Sequence, residues 1–310
     1  MCTIGLGLAA LGRPEYLNIR SAVSIDKSEA AFKENAFLVL DKAYACGVRF
    51  FDTAPSYGKG EAFLQEWNAS RKHADVVLSS KWGYTYVANW KLGFLGPHEV
   101  KEHSLQKLKE QWQVTQGLLP KLKVYQIHSA TFESAVLQNT AVLQHLFQLK
   151  KEFGLQLGLT VSGPKQKELL TEASEICLDN EPLFDSFQVT YNLFEQAAFE
   201  VLKQLKGAGR FLIVKEGLAN GRIFLPTKTS NTLEGLALKY QVGIDAIALR
   251  FCMDAVGPNV VLSGAASKAQ LTQNLCALNF QLTPSEIEQL KGAKMPTETY
   301  WHERSQLPWG

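Results

Sequence analysis

Eight short runs of strand type recur along the chain, at residues 4–8, 48–52, 75–81, 122–128, 155–162, 186–191, 211–215 and 259–263. Nearly every neighbouring pair is separated by a stretch with helical spacing. Over residues 29–46, for example, Phe32, Ala36, Val39, Leu40 and Ala43 recur every three or four positions, and Gly47 supplies the stop. Further helical stretches cover 61–68, 97–116, 141–153, 165–176, 197–205, 231–240, 245–255 and 268–278, with one more at 285–293 after the last strand run. Strands alternating with helices need a parallel sheet with helical crossovers, and eight of them suffice to close it. No composition break or low-complexity linker interrupts the alternation. The pattern predicts one α/β domain over residues 1–310, a single (β/α)8 TIM barrel, with a C-terminal tail of about 284–310 over the barrel mouth. A doubly wound open sheet is the competing arrangement.

Composition sets the outer limits. Hydrophobic residues make up 46% and charged residues 20%, which suits a chain with a sizeable buried core. A net charge of +2 without long blocks of one sign gives no footing for a nucleic acid or an anionic membrane. Five scattered cysteines, none in a C-x-x-C pair, fit a reduced compartment, and no stretch approaches the ~20 apolar residues of a membrane span. The apolar opening at 4–11 lacks a basic leader and is broken by glycines. A cytoplasmic protein is expected.

In a parallel barrel the residues just past the C-terminal strand ends sit at the mouth, where such barrels carry their chemistry. The second run ends in Asp52 and leads through Thr53-Ala54-Pro55-Ser56 to Tyr57 and Gly58; the third ends in Lys81 and the fourth in His128. Taken singly, Asp52 reads as a turn cap, Tyr57 as a packing residue, Lys81 as a solvated strand end and His128 as a structural histidine. Jointly they would all have to converge on one rim by accident. Phe51-Asp52-Thr53-Ala54-x-x-Tyr57-Gly58, with Lys81 and His128 at the next two strand ends, resembles the catalytic tetrad of the aldo-keto reductase superfamily, and the resemblance covers most of the chain.

Reduction of a carbonyl needs a proton donor at the developing alkoxide, and a free tyrosine, with a pKa of about 10, is a poor one at neutral pH. An ammonium at ~4 Å contributes on the order of 4 kcal/mol at an effective dielectric of 20, so Lys81 is expected to lower the Tyr57 phenol by a unit or two. Asp52 would hold Lys81 charged and in place while offsetting part of that effect, and His128, as a neutral donor, would orient the substrate oxygen.

Gly5-x-Gly7-x-x-Ala10 matches a relaxed dinucleotide fingerprint, but only four residues precede it and Gly12-Arg13-Pro14 stands where a helix should run. It reads as the first barrel strand and its exit loop. No Tyr-x-x-x-Lys occurs. The better anion site is 263–267, running from the last strand into a helix whose first N–H groups are free. By the resemblance, Gly264, Ser267, Lys268, Gln270 and Asn274 would surround the adenosine end, Gly217, Leu218, Asn220, Gly221 and Arg222 would cross the pyrophosphate, and Ser162 and Gln188 would hold the carboxamide. The chain departs from the family where many members have a basic residue at Gln270, an asparagine at Gly163, and an aromatic stacked on the nicotinamide at Lys215. The implied cofactor is NADP(H), with NAD(H) as the alternative. Lys268 and Ser267, with no acidic residue beside them, favour NADPH.

Trp82, Tyr84, Tyr86, Trp90 and Phe94 crowd the loop after Lys81, and Tyr300, Trp301 and Trp309 the tail. This density predicts pocket walls, Trp82 and Tyr84 foremost, for a small carbonyl or sugar substrate. Two other classes compete with an oxidoreductase. One is a non-catalytic nicotinamide-binding subunit similar to the potassium-channel β subunits. The other, a metal-dependent barrel enzyme, would want clustered histidines or carboxylates, and His73, His98, His103, His145 and His302 lie scattered.

Overall fold

The computed structural model describes residues 2–16, 26–226 and 229–307. Its centre is a closed barrel of parallel strands: β1 Thr3–Gly7, β2 Phe50–Asp52, β3 Val77–Trp82, β4 Leu122–Ala130, β5 Gln156–Val161, β6 Ser186–Thr190, β7 Phe211–Lys215 and β8 Val260–Ser263. Each strand pairs with its neighbours in sequence, and β1 closes the ring on β8 in the register Thr3↔Val260 to Leu6↔Ser263. Helices surround it, among them Glu29–Ala45, Gly60–Arg71, Leu105–Thr115, Ile244–Val256 and Lys268–Leu275. The first of these starts behind Ser28, whose hydroxyl accepts from the N–H of Ala31, and Thr140–Phe153 stops at Gly154 in the left-handed region.

The barrel interior is layered. Phe50, Val124, Ile213, Val260 and Leu262 form a buried apolar plug, with Val77 and Phe211 packed against it. Gly5 borders this plug, where a Cβ would lie 2.7 Å from Val260 Cγ1. Side chains on one face of a strand recur every second residue. Two positions beyond the plug the inward face turns polar: Asp52 follows Phe50, Ser79 follows Val77, Gln126 follows Val124 and Lys215 follows Ile213. Another two positions bring Lys81 and His128 to the rim.

Two segments differ from the sequence reading. The helix expected at 97–116 begins only at Leu105, behind a Ser104 cap; before it, Glu99–Lys101 pairs antiparallel with Tyr84–Tyr86. The start is set by Ser104, whose hydroxyl accepts from Lys107 N, and Val100 is left exposed between Glu99 and Lys101 in strand fashion. In the tail, Pro284–Lys291 packs on the outer wall, where Glu286 accepts from Lys239 and Tyr240. An unanticipated helix, Thr297–Ser305, then returns to the rim, where Arg304 pairs with Glu216 just past β7.

Candidate active site

Tyr57 is set by a close crossing of two loops. Lys59 N donates to Gly12 O at 2.9 Å, and a Cβ on Gly12 would fall 2.2 Å from Tyr57 O, so only glycine lets the exit loop of β1 press on this turn. Gly12 thus serves the tyrosine, and the helix that directly follows β1 is a single turn, Ala9–Gly12.

Lys81 is fully buried, and its ammonium donates to three acceptors: Asp52 Oδ2 at 2.5 Å, Thr53 O at 3.0 Å and Tyr57 OH at 3.1 Å. The other Asp52 oxygen accepts from Ser79 Oγ at 2.9 Å, Gln188 Nε2 at 3.2 Å and Gln126 Nε2 at 3.4 Å. Because the phenol oxygen accepts from Lys81, its own hydrogen remains for the mouth. The phenol is held well above 10, first by burial and then by the Asp52 charge. The expected lowering by Lys81 is therefore overturned: with Asp52 at 2.5 Å the lysine presents a neutral pair, and desolvation decides the direction.

His128 is half-buried, its ring edge-on to Tyr57 at 5.6 Å between centroids. Nδ1 lies 3.3 Å from Ser56 Oγ, and no described residue engages Nε2. Burial, then the cations Lys81 and Lys215, push the imidazole well below 6.5, so it is neutral. A register shift between Ile127 and Ala130, with Ser129 N donating to Thr160 Oγ1 at 2.7 Å, turns β4 just after it.

Of the expected walls, Tyr84 stacks obliquely on His128 at 4.9 Å. Trp82 does not line the mouth. Since Lys81 points inward, Trp82 points outward; it has no exposed surface and packs edge-on against His103 at 5.4 Å. Tyr300 and Trp301 are likewise buried, and Trp309 lies outside the described residues. Sequence reading missed Ser79 and Gln126, although their places two residues before Lys81 and His128 put them on the inward face. It also missed Arg13 and Glu99, paired at 3.2 Å beside the Tyr57 loop.

The residues expected at the cofactor divide into two sets. Ser162 and Lys215 meet at the rim, where Lys215 Nζ donates to Ser162 Oγ at 2.9 Å and Thr190 Oγ1 at 2.8 Å. Gln188 is buried with its amide nitrogen on Asp52. Gly217 packs on helix Ile244–Val256, where a Cβ would meet Leu249 at 2.9 Å; Leu218 is half-buried, and Asn220 and Gly221 both turn at positive φ. Arg222 is buried under Tyr300, its guanidinium 4.1 Å from the ring centroid, and bonds Ala219 O, Tyr300 O and Glu303 while Nη2 has no partner. Asn274 is buried between Ser263 Oγ and Asp245 Oδ2, facing the fold. Ser267 caps helix Lys268–Leu275, Lys268 and Gln270 are exposed, and Gly264 faces open space where a Cβ would touch nothing. An orphaned guanidinium nitrogen and an open glycine fit the phosphate end of a dinucleotide, but the N–H groups expected to be free there are partly taken: Ala265 N donates to Ser263 Oγ, Ala266 N to Gln270 Oε1 and Gln270 N to Ser267 Oγ.

A barrel whose mouth joins a lysine to both a carboxylate and a phenol, beside a neutral imidazole, has the makings of an oxidoreductase of the (β/α)8 class. The Aldo/keto reductase family model matches residues 3–294, and the chain belongs to that family. Membership implies nicotinamide-dependent interconversion of carbonyls and alcohols. A putative aryl-alcohol dehydrogenase of Saccharomyces cerevisiae is 27% identical over 301 residues, covering 84% of this chain and 76% of its own length. Norsolorinic acid reductase B of Aspergillus parasiticus is 45% identical over 62 residues, 19% of this chain and 16% of its own. An aldo-keto reductase of Bacillus halodurans, in its holo form, superposes with a TM-score of 0.68 at 19% identity, covering 94% and 92% of the two chains. Glycerol dehydrogenase of Gluconobacter oxydans gives 0.70 at 15% identity, with 94% and 90% covered. Both structures share the fold. Among the described residues no helix is long and apolar enough to cross a membrane, and no three His, Cys, Asp or Glu side chains gather as metal ligands.

Proposed function

We propose that this chain reduces small carbonyl compounds, and oxidises the matching alcohols, with Tyr57 as the proton-exchanging acid and NADP(H) as the preferred cofactor, in the cytoplasm. The observation that carries the reading is the buried ammonium of Lys81 bonded at once to Asp52 and Tyr57. A phenol with a raised pKa keeps its proton at neutral pH and yields it only to a much stronger base, such as an alkoxide forming in the mouth. As negative charge passes to the phenol oxygen, Lys81 at 3.1 Å already points a hydrogen at it, with no reorganisation required. Neutral His128, its Nε2 engaged by no described residue, positions the substrate oxygen.

The nicotinamide cofactor supplies or accepts the hydride when bound. Arg222, through its unpartnered Nη2, and the exposed Lys268 at the helix start would hold its phosphates; Ser162, Gln188 and Lys215 would hold the ring end. Lys268 and the absence of acidic residues over 264–274 favour the phosphorylated cofactor.

The test is Tyr57→Phe, which keeps the ring and removes the hydroxyl. NADPH affinity should survive while turnover falls by ~10²–10⁴-fold. Aryl aldehydes lead the panel, because the yeast relative that covers most of this chain is named an aryl-alcohol dehydrogenase. Reduction within a few-fold of the parent would remove Tyr57 from the chemistry. A parent that binds NADPH but turns over no aldehyde, ketone or aldose would instead be a nicotinamide-binding subunit.

A further inference from the structure

β2, β3 and β4, with the Tyr57 loop, deliver the acid, its lysine and His128 to one arc of the rim. A carbonyl oxygen held between Tyr57 and His128 leaves the facing arc, at the ends of β5, β6 and β7, for the ring that exchanges hydride with the carbonyl carbon. The side chains there are Ser162, Thr190 and Lys215. Two hydroxyls accept from the Lys215 ammonium without cancelling its charge. The nearest carboxylate, Glu216, is 3.6 Å away and already engaged by both arms of Arg304, at 2.9 and 2.5 Å. This arc is therefore net positive.

We propose that Lys215 makes the site hold reduced nicotinamide more tightly than oxidised nicotinamide, so that the bound cofactor is a stronger oxidant than it is in water. The proposal rests on the nicotinamide-dependent reading above. Oxidised nicotinamide is a cation and the reduced ring is neutral, so a neighbouring ammonium penalises only the oxidised form. At ~6 Å and an effective dielectric of 20, offset in part by Glu216, the penalty amounts to roughly tenfold to a hundredfold in affinity. The two forms carry the same phosphates, so everything at the adenosine end cancels in their ratio. The consequence is an on-enzyme equilibrium drawn toward carbonyl and bound NADPH, the overall equilibrium being unchanged; in that direction the substrate loses a hydride from carbon to NADP⁺ and a proton from oxygen through Tyr57 to water.

Burial brings Lys215 down to about 8, which leaves it mostly charged at pH 7 and gives a second handle on the same property. The charged groups around it are Glu216, held near 2, Arg304, raised above its ordinary value, Lys81 with Asp52, and His128, neutral throughout. Lys215 is thus the group that changes charge between pH 7 and 9.

Fluorescence titration of the whole chain with NADP⁺ and with NADPH tests this, in the parent, Lys215→Met and Lys215→Arg, with thermal unfolding as the folding check. The parent should favour NADPH by roughly tenfold or more, Lys215→Met should bring the ratio close to one by strengthening NADP⁺, and Lys215→Arg should keep it. Should the Met variant not fold, the parent's ratio must itself shrink as pH rises from 7 to 9. A ratio unmoved by Lys215→Met, or by pH, overturns the proposal and leaves the nicotinamide reading standing. A parent that binds neither form ends that reading and the proposal with it.

Discussion

The phenol of Tyr57 has a compensated neighbour, because the lysine that touches it is shared with Asp52 at 2.5 Å. Neighbouring residues follow the same rule of paired charge and inward alternation, which makes their variants predictable. Trp82, fully buried on the outward face of β3, should cost about 3–5 kcal/mol as Trp82→Ala, read from urea unfolding, and should leave NADPH affinity unchanged in whatever fraction folds. Glu61 is a different case: a buried carboxyl bonded by Ser80 and Thr115, pushed up to about 7 by desolvation. Its folded pKa lies above the unfolded value, so its contribution is fully present below about 4.5 and is lost as pH rises through about 7. On the order of 3 kcal/mol is at stake across that window, and Glu61→Gln should flatten the parent's loss of stability between pH 5 and 8, measured by denaturant midpoints. A slope unchanged in the variant would assign that loss to other groups. At this scale Asp52, Tyr57, Lys81 and His128 were legible because each ends or follows a strand run. The direction of the Tyr57 shift was not, since it depends on how deeply the pair is buried.

Among the elements, the hairpin of Tyr84–Tyr86 with Glu99–Lys101 and the helix Thr297–Ser305 lie outside the strand-and-helix alternation, and both reach the rim. Periodicity could not announce them: strands of three residues are too short to show a period, and the final helix has apolar residues only at Tyr300 and Trp301. The helix is tied down by the pair of Arg304 with Glu216, both largely buried. Removing the guanidinium leaves Glu216 with Lys215 at 3.6 Å as its remaining cation, so Arg304→Leu should cost about 1–3 kcal/mol. The double variant Arg304→Leu with Glu216→Leu should recover much of that loss. A thermal-unfolding cycle over the four proteins measures the coupling, and additive effects would show that the pair does not anchor the helix.

For the whole molecule, the ring order β1 to β8 and the helix layer were readable from one regularity, the repeated switch between a period of two and a period near 3.6. Less readable was the allotment of the later polar side chains, where Asn274 on its helix and Gln188 on β6 give their amide hydrogens to the protein itself. Preference for NADPH over NADH should appear as a lower dissociation constant for NADPH, lost on Lys268→Glu; equal constants in the parent would shift the choice of cofactor elsewhere in the loop. The apolar plug of Phe50, Val124, Ile213, Val260 and Leu262 carries one more implication. It closes the barrel beneath the polar layer, so on the proposed mechanism a proton spent at Tyr57 would return through the mouth, the opening through which substrate would arrive and product leave. Recharging the acid would then wait its turn in that doorway, and each cycle would be complete only once the doorway had been cleared.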